Sequence, residues 1–398
     1  MSRSVLLVAA TAAADVLSLV GLFAFAALLP QFVSEWALTN SEAGWISGMP
    51  LASYAVAVSL IVSLTDKVDA RHVFCWSALL GAAALAGFAL FAQGFWSALA
   101  FRALTGVAMA GTYVPALRVL VDRYGGANQS RAVAFYTASF SLGTASSFFV
   151  AGEVGATAGW QTAYLVAAAL SAASVLLIWP LRAVMPQPPK DAGSVFDIRP
   201  VFRNRRAMAY VLAYAAHGWE LFAFRGWTVA FLVFSLSLQP EGEGWPSPTL
   251  VATASALVAM VASIVGNEIA ERYGRRRIVA IYLFSSGAMA MVVGFLPGLP
   301  YLWVAALMLV YAALVQLDSA SLTAGTVIEA EPGRRGATLG VHSFLGFAGS
   351  SIGPVMVGIV LDATGGGQSV TSWGAGFIAM GIASLVAPLV FLMGRRKA

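Results

Sequence analysis

Twelve stretches of about twenty mostly apolar residues, each long enough to cross the hydrocarbon core of a bilayer, run through this 398-residue chain. They fall at 5–29, 43–64, 72–92, 97–117, 132–153 and 160–181, then at 207–237, 249–269, 278–297, 301–325, 336–360 and 373–394. Such runs fold as helices in lipid, because a helix satisfies its own backbone hydrogen bonds where no water is present. They lack the apolar–polar alternation of outer-membrane strands. Only 10% of the residues are charged, against about 25% in a soluble domain. Soluble enzymes, nucleic-acid binders and disordered scaffolds are excluded on that ground. The first run carries Asp15, is too long for a signal peptide and lacks a small-x-small cleavage site, so it reads as a retained span. Cys75 is the single cysteine, and no Cys/His spacing suggests a metal or a cofactor.

The basic residues fix the orientation. Of 23 Lys and Arg, 21 fall in seven segments: Arg3; Lys67 and Arg71; Arg118 to Arg131; Arg182 to Arg206; Arg272 to Arg277; Arg334 and Arg335; and Arg395 to Lys397. The six connectors between those segments contain none. This alternation is expected of an even number of spans with both termini in the cytoplasm, here of a bacterial inner membrane. The net charge of +5 is spread along the chain, unlike the clustered patch of a nucleic-acid binder. The longest polar stretch, 182–206, holds four prolines and reads as a cytoplasmic linker. It separates a six-helix bundle at 1–181 from a second at 207–398.

The halves share a weak repeat. Asp66-Lys67-Val68-Asp69-Ala70-Arg71 follows span 2, and Glu271-Arg272-Tyr273-Gly274-Arg275-Arg276 follows span 8, 205 residues later. The same offset takes Asp15 in span 1 to Glu220 in span 7. The turns and the span count resemble the major facilitator superfamily of secondary transporters over essentially the whole chain. The family's loop reads Gly-x-x-x-Asp-Arg-x-Gly-Arg-Arg/Lys. The second copy follows it from Glu271 to Arg276, with Asn267 at the Gly position and Gly266 beside it. In the first, Val62, Asp69 and Ala70 replace Gly, Gly and Arg. Arg102-x-x-x-Gly106 in span 4 resembles another family motif. The antiporter Gly-Pro motif of span 5 is missing, since Gly143 to Gly152 contains no proline. Within the superfamily the chain is similar to bacterial branches resembling cyanate and nitrate transporters. The resemblance implies an all-α integral membrane protein of twelve helices in two pseudo-symmetric bundles, working as a monomer by rocking of its halves. It also implies that Asp66, Arg71, Glu271, Arg272 and Arg275 gate the inner ends of the helices. For Arg275 to Arg277, the alternative is that they set topology alone.

Charges inside spans cost roughly 2.5–3.5 kcal/mol each at the bilayer centre, so Asp15, Arg102, Glu220, Arg225 and Asp318 require partners or a wet cavity. At 100° per residue, Tyr210, Tyr214, His217, Glu220, Arg225 and Thr228 share one sector of span 7, the pattern of a cavity wall or of a buried network joining span 7 to a neighbour. Tyr311 and Asp318 share a stripe on span 10. Asp318 reads as a proton acceptor, a cation partner, or half of a structural pair with an Arg or His, and His342 lies at similar depth. Arg102, Thr105, Gly106, Met109 and Tyr113 share a face of span 4. Arg102 has three readings: a partner for Asp15, an anion ligand, or a brace for the end of its helix. The candidate substrate ligands are Arg102, Tyr113, Tyr214, His217, Arg225 and Tyr311. The candidate proton-coupling groups are Glu220 first, with His217 a turn away, then Asp15 and Asp318.

The expected activity is secondary transport of a small polar or anionic solute, coupled to protons. Its competitor is proton-driven efflux of lipophilic or cationic compounds, which the missing span 5 motif disfavours. No nucleotide loop, HExxH or nucleophile–base pair points to an enzyme or an ATP-driven pump.

Overall fold

The computed structural model describes residues 3–124, 129–184, 199–240 and 245–392, and its regular elements are all helical. In chain order they are α1 (Arg3–Leu19), α2 (Ala24–Ala27), α3 (Leu29–Glu35), α4 (Asn40–Leu64), α5 (Ala70–Phe91), α6 (Phe95–Arg123), α7 (Gln129–Thr137), α8 (Ser139–Ala158) and α9 (Trp160–Ile178). Then follow α10 (Arg199–Arg203), α11 (Arg205–Ser237), α12 (Pro248–Tyr273), α13 (Arg275–Val293), α14 (Tyr301–Gln316), α15 (Ser319–Glu329), α16 (Arg335–Ala363) and α17 (Val370–Val386), with a 3-10 turn at Ala387–Leu392. Among the described residues eleven helical segments are long and apolar enough to cross a membrane, preceded by the shorter apolar helix Ser4–Leu19.

Several helices begin where a short polar side chain caps free amides. Asp69 accepts from the Arg71 amide at 2.9 Å at the start of α5, and Asn204 from the Ala207 amide at 3.2 Å at the start of α11. Ser247 does the same for Leu250 at 3.2 Å, with Pro248 in the first turn of α12 where its missing N–H costs nothing.

Two spans depart from expectation, and part of the linker is helical. Span 1 is not one helix: it breaks at 20–23 between α1 and α2. The break exposes backbone groups that must find partners in a water-free interior. Arg102 supplies them, donating to the Leu22 carbonyl at 2.7 Å and the Gly21 carbonyl at 3.3 Å, while Ser147 Oγ accepts from the Phe23 amide at 2.9 Å. Span 10 is divided at Leu317 and Asp318, the junction between α14 and α15. Finally, the linker expected at 182–206 is partly helical. Its last residues form α10 and the start of α11; residues 185–198 lie outside the described residues, as do the basic residues Arg395 to Lys397.

The chain forms two compact units, one of Met1–Phe32 with Met49–Lys190 and the other of Val33–Gly48 with Asp191–Ala398. In the first, Phe88 stacks on Tyr164 with ring centroids 4.1 Å apart, and Phe32 packs edge-on against both Phe88 and Trp160. In the second, α11 is the central helix and packs most extensively on α16, against which Gly349 and Gly353 bring the backbone onto the carbonyls of Ala215 and Trp219. Small residues at such crossings let helix backbones approach closely in lipid. The start of α4 is tied to the end of α16: Asp362 accepts from the Asn40 and Ser41 amides at 2.9 and 2.8 Å and from both of their side chains.

The junction in span 10 is buttressed by Gly266 of α12, where an added Cβ would strike the Leu317 carbonyl. Backbone cannot move aside as a flexible side chain can. Gly266→Ala is therefore expected to lower stability by about 1–3 kcal/mol, the usual cost of overpacking, measured by thermal unfolding in detergent.

Candidate functional site

The polar residues of α11 meet partners from three neighbouring helices of the second unit. Val211 and Val229, which lie outside the sector of polar residues on α11, are as buried as His217 and Glu220. The helix is thus interior on nearly every side, and its polar groups form a packed network. Each Glu220 oxygen accepts one hydrogen bond at 2.8 Å, Oε2 from the Ser286 hydroxyl of α13 and Oε1 from the Tyr311 hydroxyl of α14. Tyr311, expected to touch substrate, is fully buried and holds Glu220.

His217 does not pair with Glu220. Its Nδ1 lies 2.7 Å from Asp318 Oδ1, with both side chains almost fully buried. The pair stands at ion-pair distance without the alignment of a hydrogen bond. Asp318 reaches this position at the junction of α14 and α15, where Leu317 and Asp318 keep right-handed helical dihedrals within one membrane-spanning segment, Tyr301–Glu329. The Tyr214 ring stacks between two imidazoles, with centroids 5.7 Å from His217 and 4.0 Å from His342. Gly346 leaves room for that ring. His342 Nδ1 lies 3.0 Å from Thr326 Oγ1, which completes a run of polar contacts from α15 through α16 to α11 and back to Asp318. Buried Arg225 lies over the Phe222 ring at 5.4 Å.

In the first unit the fully buried Asp15 accepts from Ser139 Oγ at 2.6 Å, and Ser139 also lies 2.5 Å from the Tyr136 carbonyl. Arg102 is occupied by the carbonyls of the span 1 break, so it braces span 1 and not the end of its own helix. A cation is favourable there because those carbonyls lie just past the C-terminal, negative end of α1. Tyr113 is half-buried, with its carbonyl accepting from the Tyr136 hydroxyl at 2.5 Å and its ring edge-on to Phe140.

The two loop copies differ. In the first, Asp66 accepts from Arg118 Nη1 at 2.5 Å. Arg71 donates to the Trp179 and Leu181 carbonyls just past α9, at 2.9 and 2.6 Å. The centre of this cluster is Asp69, which the sequence reading passed over as a departure from the family pattern. Its oxygens accept both bonds from Arg123 Nη2, at 2.8 and 2.7 Å, and one from the Val184 amide at 2.8 Å. Burial alone would push the Asp69 carboxyl upward, but the hydrogen bonds from Arg123, Val184 and Arg71 outweigh it and hold it below the ordinary carboxylate value. The available signal was an aspartate directly before a helix start. In the second copy the 205-residue offset puts Gly274 where Asp69 stands and Ile328 where Arg123 stands, so the acid–base centre is missing. Among the described residues neither Glu271 nor Arg272 has an ion-pair partner, and Arg272 lies over the Tyr273 ring. Arg275 lines an open groove instead.

Known proteins place this arrangement. The sequence pattern of the Major Facilitator Superfamily matches residues 11–328. A probable transporter of Streptomyces coelicolor is 25% identical over 380 residues, 91% of this chain and 83% of that protein. Protein spinster homolog 1 of Homo sapiens is 26% identical over 244 residues, and the niacin transporter NiaP of Acinetobacter baylyi 29% over 147. The chain aligns with less than half of the length of either: 45% and 33%. A bacterial homologue of the human lysosomal transporter spinster shares the fold at a TM-score of 0.80 and 15% identity, each chain fully covered. The nucleoside transporter NupG does so at 0.78 and 16%, again over both full chains. With its breaks, its buried charges and its apolar helices accounted for, the chain belongs to the Major Facilitator Superfamily, as a multi-pass membrane protein.

Proposed function

We propose that this protein is a secondary active transporter that moves a small polar or anionic solute by alternating access and couples that movement to protons. It acts as a monomer in a bacterial inner membrane, with both termini in the cytoplasm and with halves at 1–181 and 207–398. The observation that carries the coupling is the buried His217–Asp318 pair at the junction of α14 and α15. Separating such a pair in a low-dielectric interior leaves a charge without compensation, so a conformational step that parts it must load or release a proton. His217 and Asp318 therefore replace Glu220 as the first coupling site. Glu220 is held by two hydroxyl donors and acts second. Asp15 fits a protonated carboxyl: Ser139 has one proton and two acceptors, and a proton on Asp15 donated to Ser139 satisfies both.

Substrate recognition falls to Tyr214, His217 and Arg225, which lie on one helix of the second unit, α11. A guanidinium favours a carboxylate or another planar anion. The niacin- and nucleoside-transporting relatives support a small polar solute. The test is a thermal-shift screen of purified protein at two pH values, with nicotinate, nucleosides, cyanate, nitrate, oxalate, lactate and lipophilic cations. A true substrate at about 100 times its Kd stabilises by about 2.7 kcal/mol. That response should come from a polar or anionic solute and vanish in Arg225→Ala. Stabilisation by lipophilic cations alone would overturn the reading in favour of proton-driven efflux.

A further inference from the structure

An open groove of about 1140 Å³ lies at the end of the second unit where α12 turns into α13. Its polar rim is Arg275, Arg276 and Arg277, three consecutive guanidinium groups at the first turn of α13. Its walls are apolar, and Ile281, Phe284 and Leu392 on them are exposed. One carboxylate, Glu329, also lines the groove, so the rim keeps an excess of two positive charges. Glu329 is partly drawn off by Arg206, 3.9 Å away. The Arg275 Nε–H has no hydrogen-bond partner among the described residues.

Apolar side chains exposed on a membrane-spanning helix face acyl chains, and arginines at the end of such a helix lie at headgroup depth. A ligand that satisfies both surfaces has an anionic head and hydrocarbon tails. From these features we infer that the groove binds an acidic glycerophospholipid, with its phosphodiester on Arg275 to Arg277 and an acyl chain along Ile281 and Phe284. The volume exceeds that of a lone phosphate many times over, and such an ion would leave the apolar wall uncovered. This site is independent of substrate and of proton coupling.

The test uses the full-length protein in detergent. Native mass spectrometry and thermal unfolding are followed as dioleoyl phosphatidylglycerol, dioleoyl phosphatidylcholine or inorganic phosphate is added. Phosphatidylglycerol should be retained and stabilising, phosphatidylcholine much less so, and inorganic phosphate without effect. Each arginine near a headgroup strengthens binding about fivefold, so Arg275→Gln, Arg276→Gln and Arg277→Gln together should weaken it on the order of 100-fold. Lys67→Gln with Arg131→Gln, which removes basic charge from the other unit, should keep the wild-type response. Equal retention of the two lipids by the wild-type protein would overturn the inference without any variant having to fold. So would full stabilisation by inorganic phosphate, or a triple variant that folds and still binds phosphatidylglycerol at wild-type strength.

Discussion

Asp318→Asn should abolish proton-driven accumulation of substrate in proteoliposomes while leaving substrate counterflow intact. Counterflow needs only the loaded transporter to change conformation, whereas accumulation needs a proton to be bound on one side and released on the other. An asparagine keeps the shape of the Asp318 side chain and removes its titration. Loss of both activities would instead assign Asp318 to substrate binding or to packing. The same pair predicts a large loss of stability for one substitution and a much smaller one for two. His217→Leu leaves Asp318 as a buried charge without its partner 2.7 Å away, and should cost about 3–5 kcal/mol. Replacing both residues with Leu removes the stranded charge and should restore most of that loss. A double variant no more stable than His217→Leu alone would show that the pair does not act as a unit. Thermal unfolding in one detergent at one pH reads all three proteins.

The second large effect is at Asp69 and Arg123, both with side chains 5% exposed. Arg123→Ala should destabilise the first unit by about 3–5 kcal/mol, because Asp69 stays buried beneath it. Asp69→Ala loses in addition the cap on α5, typically about 1 kcal/mol. Asp69→Asn should recover that cap but not the paired bonds to Arg123. The pH dependence has a definite sign. Because the folded state holds the Asp69 carboxyl below its ordinary value, the folded form binds this proton less readily than the unfolded form. The stabilisation is therefore complete above the unfolded value of about 4, and is lost as pH falls from there through the folded value. Wild-type protein should lose stability over that acid range more steeply than Asp69→Asn. Parallel acid profiles would remove Asp69 from this role.

The 205-residue repeat shows where sequence reading loses sight of chemistry. Its two loops look alike as acid-then-base turns, and among the described residues the ion-pair cluster around Asp69 belongs to the first. The reason lies in two positions, Asp69 against Gly274 and Arg123 against Ile328. The second of these is on a helix far along the chain, so no local pattern links it to the loop. Glu220 and Asp15 also occupy matching positions, yet Glu220 has two hydroxyl donors from α13 and α14 and Asp15 has one from α8. Ser286 carries no sequence signal at all: a serine in an apolar run is common, and its importance comes from the carboxylate that packing brings to it.

The linear sequence determined the number of apolar segments, their alternation with basic connectors and the set of charges that had to be accounted for inside them. Those properties depend on segment length and on transfer of side chains to lipid, which are local and additive. Tertiary structure decided the pairings. His217 turned to Asp318 and away from Glu220 because Asp318 lies at the junction of α14 and α15, and that junction is packed against Gly266 of another helix. Arg102 became the brace of span 1 because the helix opens at 20–23 and leaves carbonyls that only a buried donor can satisfy. A hydrogen bond or ion pair extends over a few ångströms, and which groups come that close depends on how the helices cross.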